Sequence, residues 1–254
     1  MDEAFEKRLN ELAVRAALSG LVATTRFMDP ALERAARHAA NAAGASVAFY
    51  GGYEDAERRI AAFYSGDEPE EWEIPLTCLT ITWREKYGSP AHRDVLGALM
   101  GLGMNREQFG DIAPAAPDAP GRKDGTGMMY LFLMEESASY VAASLTSCGR
   151  ATVKLAPAEG EIKIAPPEGT VFRATVQSTR LDAVIAAGYK LSRSEARKIV
   201  ESGLVKKNHA EELRPDAELK PGDLLSVRGR GRLKLEEIQG ETRRGRTALQ
   251  IVKY

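Results

Sequence analysis

Apolar positions along the chain change their period several times, and each change marks an element. Over residues 1–43 the spacing is helical. Leu9, Leu12, Val14, Ala16 and Leu18 give a loose stripe, and ALERAARHAANAAG follows Asp29-Pro30. Asp29 is placed to cap that second helix, Pro30 suits its first position and Gly44 its end. Its many alanines favour helix but offer a thin core face. ASVAFYG (45–51) reads as a short buried strand, and EDAERRIAAFY (54–64) as a helix. LTCLTITW (76–83) is a strand that sets Leu76, Cys78, Thr80 and Thr82 against Thr77, Leu79, Ile81 and Trp83. Ser89-Pro90 opens a helix through Met100.

Beyond that helix, IAPAAPDAPGRKDGTG is dense in turn formers and reads as an exposed loop. MMYLFLM is an apolar strand, 136–147 a helix and ATVKLA a strand. Strands and helices alternate over about 45–155, which predicts one ferredoxin-like sheet under helices. Residues 156–170 carry three prolines and two glycines and read as a connector, with VFRATVQ as a strand leading out of it. The expected class is α+β in three parts: a helical N-terminal segment (1–43), an α/β middle domain (44–170) and a small C-terminal module (178–254).

The C-terminal module is the most informative stretch. Thr179 is placed to cap a helix whose stripe is Leu181, Val184 and Ile185, with Asp182 near its positive end and Gly188 as its stop. Ser192 caps a second helix, with Glu195 at the reciprocal position of a capping box. Arg193 and Arg197 lie four apart on one face, beside Lys198. LVKKN, carrying Lys206 and Lys207, reads as a short strand. Lys220-Pro221-Gly222-Asp223 is a turn signature before the strand LLSVR. If that strand runs on, Arg228, Arg230, Arg232 and Lys234 project from one face, unless Gly229 and Gly231 bulge it. Thr242–Arg246 adds a second basic cluster.

Charge changes the picture only through its distribution. The whole chain is near neutral at −1. Residues 178–254 hold 17 Lys/Arg against 11 Asp/Glu, while residues 1–177 have a net charge of −7. A basic module on an acidic body, with cations on helix and strand faces, fits a nucleic-acid phosphate backbone better than a merely solvated surface. No apolar run approaches the roughly 18 residues of a membrane span, and the charged N-terminus does not read as a signal peptide. Cys78 and Cys148 stand far apart, so a reducing cytoplasm is the expected compartment.

The series Thr179-Arg180-Leu181-Asp182, Leu191-Ser192-Arg193-Ser194-Glu195-Ala196, Ile199, Gly203-Leu204-Val205 with Asn208, Pro221-Gly222-Asp223 and Val227-Arg228 resembles the S-four RNA-binding domain. It departs where that family often has Val-Asn-Gly, since Lys207-Asn208-His209 stands here. Upstream, Gly51-Gly52-Tyr53 with Ala56-Glu57-Arg58, the run from His92 to Gly103, Arg106, and Gly110-Asp111-Ile112 resemble the bacterial YlmH family. That resemblance spans most of the chain. It implies an RRM-like middle domain, a C-terminal S-four domain, and association with the large ribosomal subunit carrying peptidyl-tRNA in rescue of stalled chains. It also implies a link to cell-division genes.

The expectation is therefore a non-catalytic protein that docks on structured RNA (rRNA, possibly tRNA) by shape and backbone contacts. The phosphate-facing residues are expected to be Arg180, Arg193, Arg197, Lys198, Lys206, Lys207, Asn208, Arg228, Arg230, Arg232 and Lys234. No catalytic residue, cofactor or metal is expected, and a protein partner is left to the middle domain. Two alternatives stand beside it: a cell-division interaction factor, and an RNA-modifying enzyme with an S-four domain. A methyltransferase would want a glycine turn after a strand, and Gly101-Leu102-Gly103 follows a helix. Arg180-Leu181-Asp182 superficially matches a pseudouridine synthase motif but opens the RNA-binding module. His92-Arg93-Asp94 looks like a kinase loop, yet Leu99 stands where Asn is needed, so a helix start is preferred. His38, His92 and His209 are scattered, and Cys148 reads as a core residue. Phe49, Tyr50, Tyr130 and Phe132 read as core rather than as base-stacking platforms.

Overall fold

In the computed structural model, residues 3–166, 169–241 and 245–254 are described. The chain divides into two compact units, 1–166 and 167–254.

The first unit is built from two layers. Helix α1 (Glu3–Ser19), strand β1 (Ala23–Met28), helix α2 (Glu33–Ala43), β2 (Ser46–Tyr50) and β3 (Arg59–Tyr64) form the N-terminal layer, whose antiparallel sheet has the order β1-β3-β2. Leu9, Leu12, Ala13 and Ala16 of α1 and Ala36, Ala39 and Ala40 of α2 pack on Ala61 and Phe63. The small alanine side chains let both helices lie close to the sheet. Asp29 accepts a hydrogen bond from the Ala31 amide, which opens a short 3-10 turn ahead of α2, and Gly44 closes the helix at φ 71°.

Two local expectations fail here. Residues 1–43 are not wholly helical, because 23–28 form a strand, and 54–64 are not a helix, because Arg59 begins β3. Strand β3 lies between two neighbours and is covered on both faces, with Ile60, Ala61, Ala62 and Phe63 all fully buried. Burial on both sides removes the alternation that betrays a strand, and Ala-rich local preference then misleads. Strands β2 and β3 accordingly belong to this sheet and not to the middle one.

The second layer contains β4 (Leu76–Arg84), α3 (His92–Gly101), β5 (Phe109–Pro114), β6 (Thr126–Met134), α4 (Glu135–Ser144), the hairpin β7 (Ser147–Cys148) and β8 (Ala151–Thr152), and β9 (Lys154–Pro157). The sheet order is β5-β6-β4-β9, all antiparallel, so the succession βαββαβ builds an RRM-like layer. Ile112–Pro114, expected in the exposed loop, finish β5 instead. One sheet face carries Leu79, Ile81, Leu131 and Leu133 onto Val95, Leu99 and Val141 of the helices. The opposite face carries Met128, Tyr130, Phe132 and Met134 onto Phe27, Ile60 and Ala62 of the N-terminal layer. This two-sided burial explains why MMYLFLM is apolar at every position.

The second unit comprises β10 (Thr170–Val176), α5 (Leu181–Tyr189), α6 (Arg193–Glu201), β11 (Val205–Lys207), β12 (Ala210–Glu211), β13 (Leu224–Val227), β14 (Gly231–Glu241) and β15 (Thr247–Lys253). Its antiparallel sheet runs β10-β15-β14-β13-β11-β12. Leu181, Val184, Ile185, Ala196 and Val200 of the helices meet Val205, Leu225, Val227, Leu233, Leu235, Leu249 and Ile251 of the strands. Gly188 does not end α5 as expected. It lies buried within the helix, where an added Cβ would come within 2.3 Å of the Leu233 side chain, and the helix ends at Lys190 with φ 55°. Thr179 is not the cap either. The first residues of α5 find partners in a loop, Leu181 N–H on Ala217 O and Asp182 N–H on Pro215 O. The whole is α+β, as the sequence pattern predicts.

Candidate nucleic-acid interface

The start of α6 is fixed by the capping box read from the sequence. Ser192 Oγ accepts from Glu195 N–H at 3.2 Å, and Glu195 Oε2 accepts from Ser192 N–H at 2.9 Å. The Ser192 hydroxyl and amide hold the Glu195 carboxyl below its usual range. This sets the phase of the helix, so Arg193, Arg197 and Lys198 all point outward and are exposed. They are not equivalent. Arg193 donates to both carboxylate oxygens of Asp182 at 2.8 Å, and Arg180 reaches the same carboxylate at 3.4 Å. The Asp182 side chain is only 7% exposed. Arg193 and Arg180 thus tie the N-terminal ends of α5 and α6 together before either can meet a ligand. Arg197 pairs with Glu201 at 2.7 Å on the open surface, which leaves both side chains free to exchange partners.

The four-cation strand is corrected by the structure. Strand β13 ends at Val227, the chain turns through Arg228-Gly229-Arg230, and β14 begins at Gly231, with Val227 paired to Gly231. Gly229 and Gly231 adopt φ of 77° and 94°, a conformation in which side-chain-bearing residues are strained, so the glycines make a hairpin and not a bulge. Arg228 and Arg230 sit exposed on its tip. Tyr189 donates to Gly231 O at 3.0 Å, which fixes the hairpin to the end of α5. Burial pushes the Tyr189 phenol up to about 12, against the field of the nearby Arg230. Lys253 lies 4.9 Å above the Tyr189 ring and Lys190 is exposed beside it. Lys190, Arg230 and Lys253 therefore gather around one tyrosine. Sequence reasoning missed Lys190 and Lys253, whose only signal was their positive charge.

Arg232 and Lys234 alternate with buried Leu233 and Leu235, so they point from the sheet face opposite the helices. Lys206 shares that face, since Lys206 pairs with Ser226 and Ser226 with Arg232. Lys234 is paired with Glu236 at 2.7 Å. The expected residues thus fall on two faces. Lys207 and Asn208 are committed within the fold. Lys207 Nζ donates to Glu218 O at 2.7 Å and meets Asp223 at 3.0 Å, while Asn208 bridges Asp223 and the Leu224 amide. Asn208 and His209 have φ of 48° and 69° between paired Lys207 and Ala210, the pattern of a type I′ hairpin turn. The departure at His209 therefore keeps the turn. Of the 242–246 cluster, Thr242, Arg243 and Arg244 lie outside the described residues. Arg246 donates to Thr175 O at 2.9 Å.

In the first unit, the sheet face that RRM domains use to stack bases is closed: Tyr130 and Phe132 are 1% and 0% exposed. The upstream signature residues converge at this seam. Asp111 accepts from Tyr53 Oη at 2.8 Å and from the amides of Glu57 at 2.7 Å and Arg58 at 3.2 Å. Arg58 donates to the carbonyls of Phe27 and Arg106, and Arg106 lies over the Phe109 ring. A Cβ at Gly52 would strike the Phe132 ring at 2.4 Å, and one at Gly110 the Phe27 ring at 2.5 Å. These residues clasp the two layers. Burial lowers the pKa of both arginines and raises that of Tyr53 far above the tyrosine range, as suits structural groups. Asp94 accepts from Ala91 N–H at 2.8 Å, which makes His92-Arg93-Asp94 a capped helix start. Burial raises Cys148 to about 11 and Cys78 to about 12, the reverse of an activated thiol. Among the described residues, no His, Cys, Asp or Glu cluster could hold a metal ion, and no helix is long and apolar enough to cross a membrane.

Two family models match this architecture. "Putative RNA-binding domain in YlmH" matches residues 68–161, the RRM-like layer, and "S4 domain" matches residues 179–225, from α5 into β13. The chain is 34% identical over 222 residues to "Ribosome-associated protein quality control protein P2" of Bacillus subtilis (strain 168), covering 87% of this chain and 82% of the relative. The chain belongs to the YlmH family. Among solved structures it is similar to "Cell division protein ylmH from Streptococcus pneumoniae", at 21% identity and a TM-score of 0.49, covering 62% of this chain and 91% of that one. Within the family's architecture, the S4 match stops short of the Arg228–Arg230 hairpin tip, which structure alone attaches to the helical face.

Proposed function

We propose that this chain is a non-catalytic, cytoplasmic RNA-binding protein that docks on the large ribosomal subunit, contacts rRNA and tRNA, and serves quality control of stalled translation. The observation that carries the reading is the cationic surface around the α5–α6 pair, where Lys190, Arg197, Lys198, Arg230 and Lys253 surround the end of an S-four module. Such a surface meets phosphates at several points at once. Its geometry is set by a capping box, the Asp182 clamp and the Tyr189 bond, so little ordering is needed on binding. The ribosome association of the Bacillus subtilis relative supports the ribosomal partner. Its work is positioning: the backbone is held by charge-assisted bonds, and the A-form groove is recognised by shape. Asp182 is engaged by two arginines, which argues against its use as a modifying enzyme's nucleophile.

The test is co-sedimentation of the tagged full chain with ribosomal subunits, comparing wild type with Arg197→Ala/Arg230→Ala. Arg193 is left intact because its loss disturbs the fold. The wild type is expected in large-subunit fractions at low salt and released as salt rises, and the variant to remain at the top of the gradient. A variant that sediments like wild type would remove this surface from the reading.

A further inference from the structure

We propose that the RRM-like layer has its own RNA surface, placed at one end of the sheet and built for a single strand, in place of the closed sheet face. This rests on the RNA-binding reading above and adds a second contact to it. Strand β4 ends at Arg84, and β9 begins at Lys154, which pairs with Thr82 on the neighbouring strand. Cross-strand diagonals of this kind set side chains about 7–8 Å apart. Three further segments close around that end. Trp83 Nε1 donates to Ser89 Oγ at 3.3 Å and pins the 84–89 loop. Glu85 N–H bonds Gly125 O at 3.2 Å and brings in the loop with Lys123. The β7–β8 turn, Gly149-Arg150, lies against the start of α3, since a Cβ at Gly149 would be 3.1 Å from Asp94 Cγ.

Arg84, Lys86, Arg93, Lys123, Arg150 and Lys154 are all exposed there, and none has an ion-pair partner among the described residues. Of the carboxylates at this end, Glu85 is held by Arg122 and Asp94 caps α3, which leaves Asp124 as the one without a partner among the described residues. So dense a group of uncompensated cations stands out in a body, residues 1–177, whose net charge is −7. Among them Tyr87 is 69% exposed, with the Lys86 ammonium 4.6 Å from its ring centre. An exposed aromatic interleaved with cations is what a single strand uses: bases stack on the ring while phosphates meet the charges. A regular duplex would leave the ring unused, because its bases are already stacked.

The experiment measures the affinity of the full chain for a labelled 12-nucleotide oligouridine and for a hairpin RNA across a salt series. Arg84→Ala/Lys154→Ala is expected to weaken oligouridine binding roughly 5–20-fold and to lower the salt slope by about 1.4, the loss of two single-strand phosphate contacts. Tyr87→Ala is expected to weaken oligouridine about 10-fold and to leave the hairpin within twofold. Lys86→Ala/Arg150→Ala serves as a second pair should the first lower the melting temperature. If these variants bind like wild type while Arg197→Ala/Arg230→Ala is weakened, the inference is overturned and the C-terminal surface stands. If no variant moves either RNA, both readings fall.

Discussion

Replacing Arg193 by Ala separates folding from recognition in the C-terminal unit. The Asp182 carboxylate is 7% exposed and receives two charge-assisted bonds of 2.8 Å from Arg193, with Arg180 farther off at 3.4 Å. Removing one partner of a fully buried pair costs about 3–5 kcal/mol. Here Arg193 is itself 46% exposed and Arg180 remains, so solvent and the second arginine recover part of that. A loss of about 2 kcal/mol follows, in the range for hydrogen bonds to charged groups. Arg197→Ala removes only an exposed i,i+4 pair with Glu201, worth about 0.3–0.5 kcal/mol. Both tryptophans, Trp72 and Trp83, lie in the first unit, so tryptophan fluorescence is blind to this change. Hydrogen exchange read by mass spectrometry on peptides covering 181–201 is the assay. Arg193→Ala is expected to speed exchange there roughly 30-fold and Arg197→Ala no more than about threefold. Equal effects of the two variants would refute the clamp and return Arg193 to the set of purely ligand-facing cations.

Three other expectations follow from the same geometry. His209 sits at φ 69° in the position where a type I′ turn favours glycine, so His209→Gly should stabilise the second unit by about 0.5–1 kcal/mol in urea unfolding. Gly52→Ala should destabilise the first unit by at least about 2 kcal/mol, seen as a lower midpoint by tryptophan fluorescence. The new Cβ meets the Phe132 ring at 2.4 Å and the backbone is at φ 89°. For Asp223, burial pushes the carboxyl pKa up, but bonds from Lys220 N–H, Asn208 and Lys207 outweigh it and hold the carboxyl below the ordinary aspartate value. A depressed folded-state pKa contributes stability that is present above the unfolded value and lost as pH falls through the folded one. The wild type should therefore lose part of the second unit's stability below about pH 4, and Asp223→Asn should flatten that acid limb in a thermal-melt series.

Local signals carried much of this fold into the sequence. The Ser192–Glu195 box needs only four residues, and its hydrogen bonds form as read. The alternation in 76–83 and the apolar stripe of α3 were legible because one face of each element is apolar, although that helix begins at His92 behind an Ala91 cap and not at Ser89-Pro90. Where burial comes from both sides, the periodic signal disappears, which hid β3 and merged two sheets into one expected layer. Glycines were ambiguous for the same reason. Gly188 resembles a helix stop in sequence but exists to admit Leu233 from a strand 45 residues away, and Gly229 and Gly231 turn the chain where continuous cation spacing suggested a strand.

By itself, the sequence determined the α+β class, the family, the order of its modules and the excess of positive charge near the C-terminus, since these depend on composition and on neighbours a few residues apart. Only the tertiary structure decided which cations share a face. Arg193 is tied to a carboxylate 11 positions earlier, Arg230 is brought to Tyr189 by a hairpin, and Arg232 and Lys234 are sent to the opposite side of the sheet. It also decided that the RRM-like sheet face is closed, because Phe27 and Ile60 come from a layer that precedes it in the chain. Strand register and layer stacking are long-range choices made by burial, and no window of sequence contains both partners.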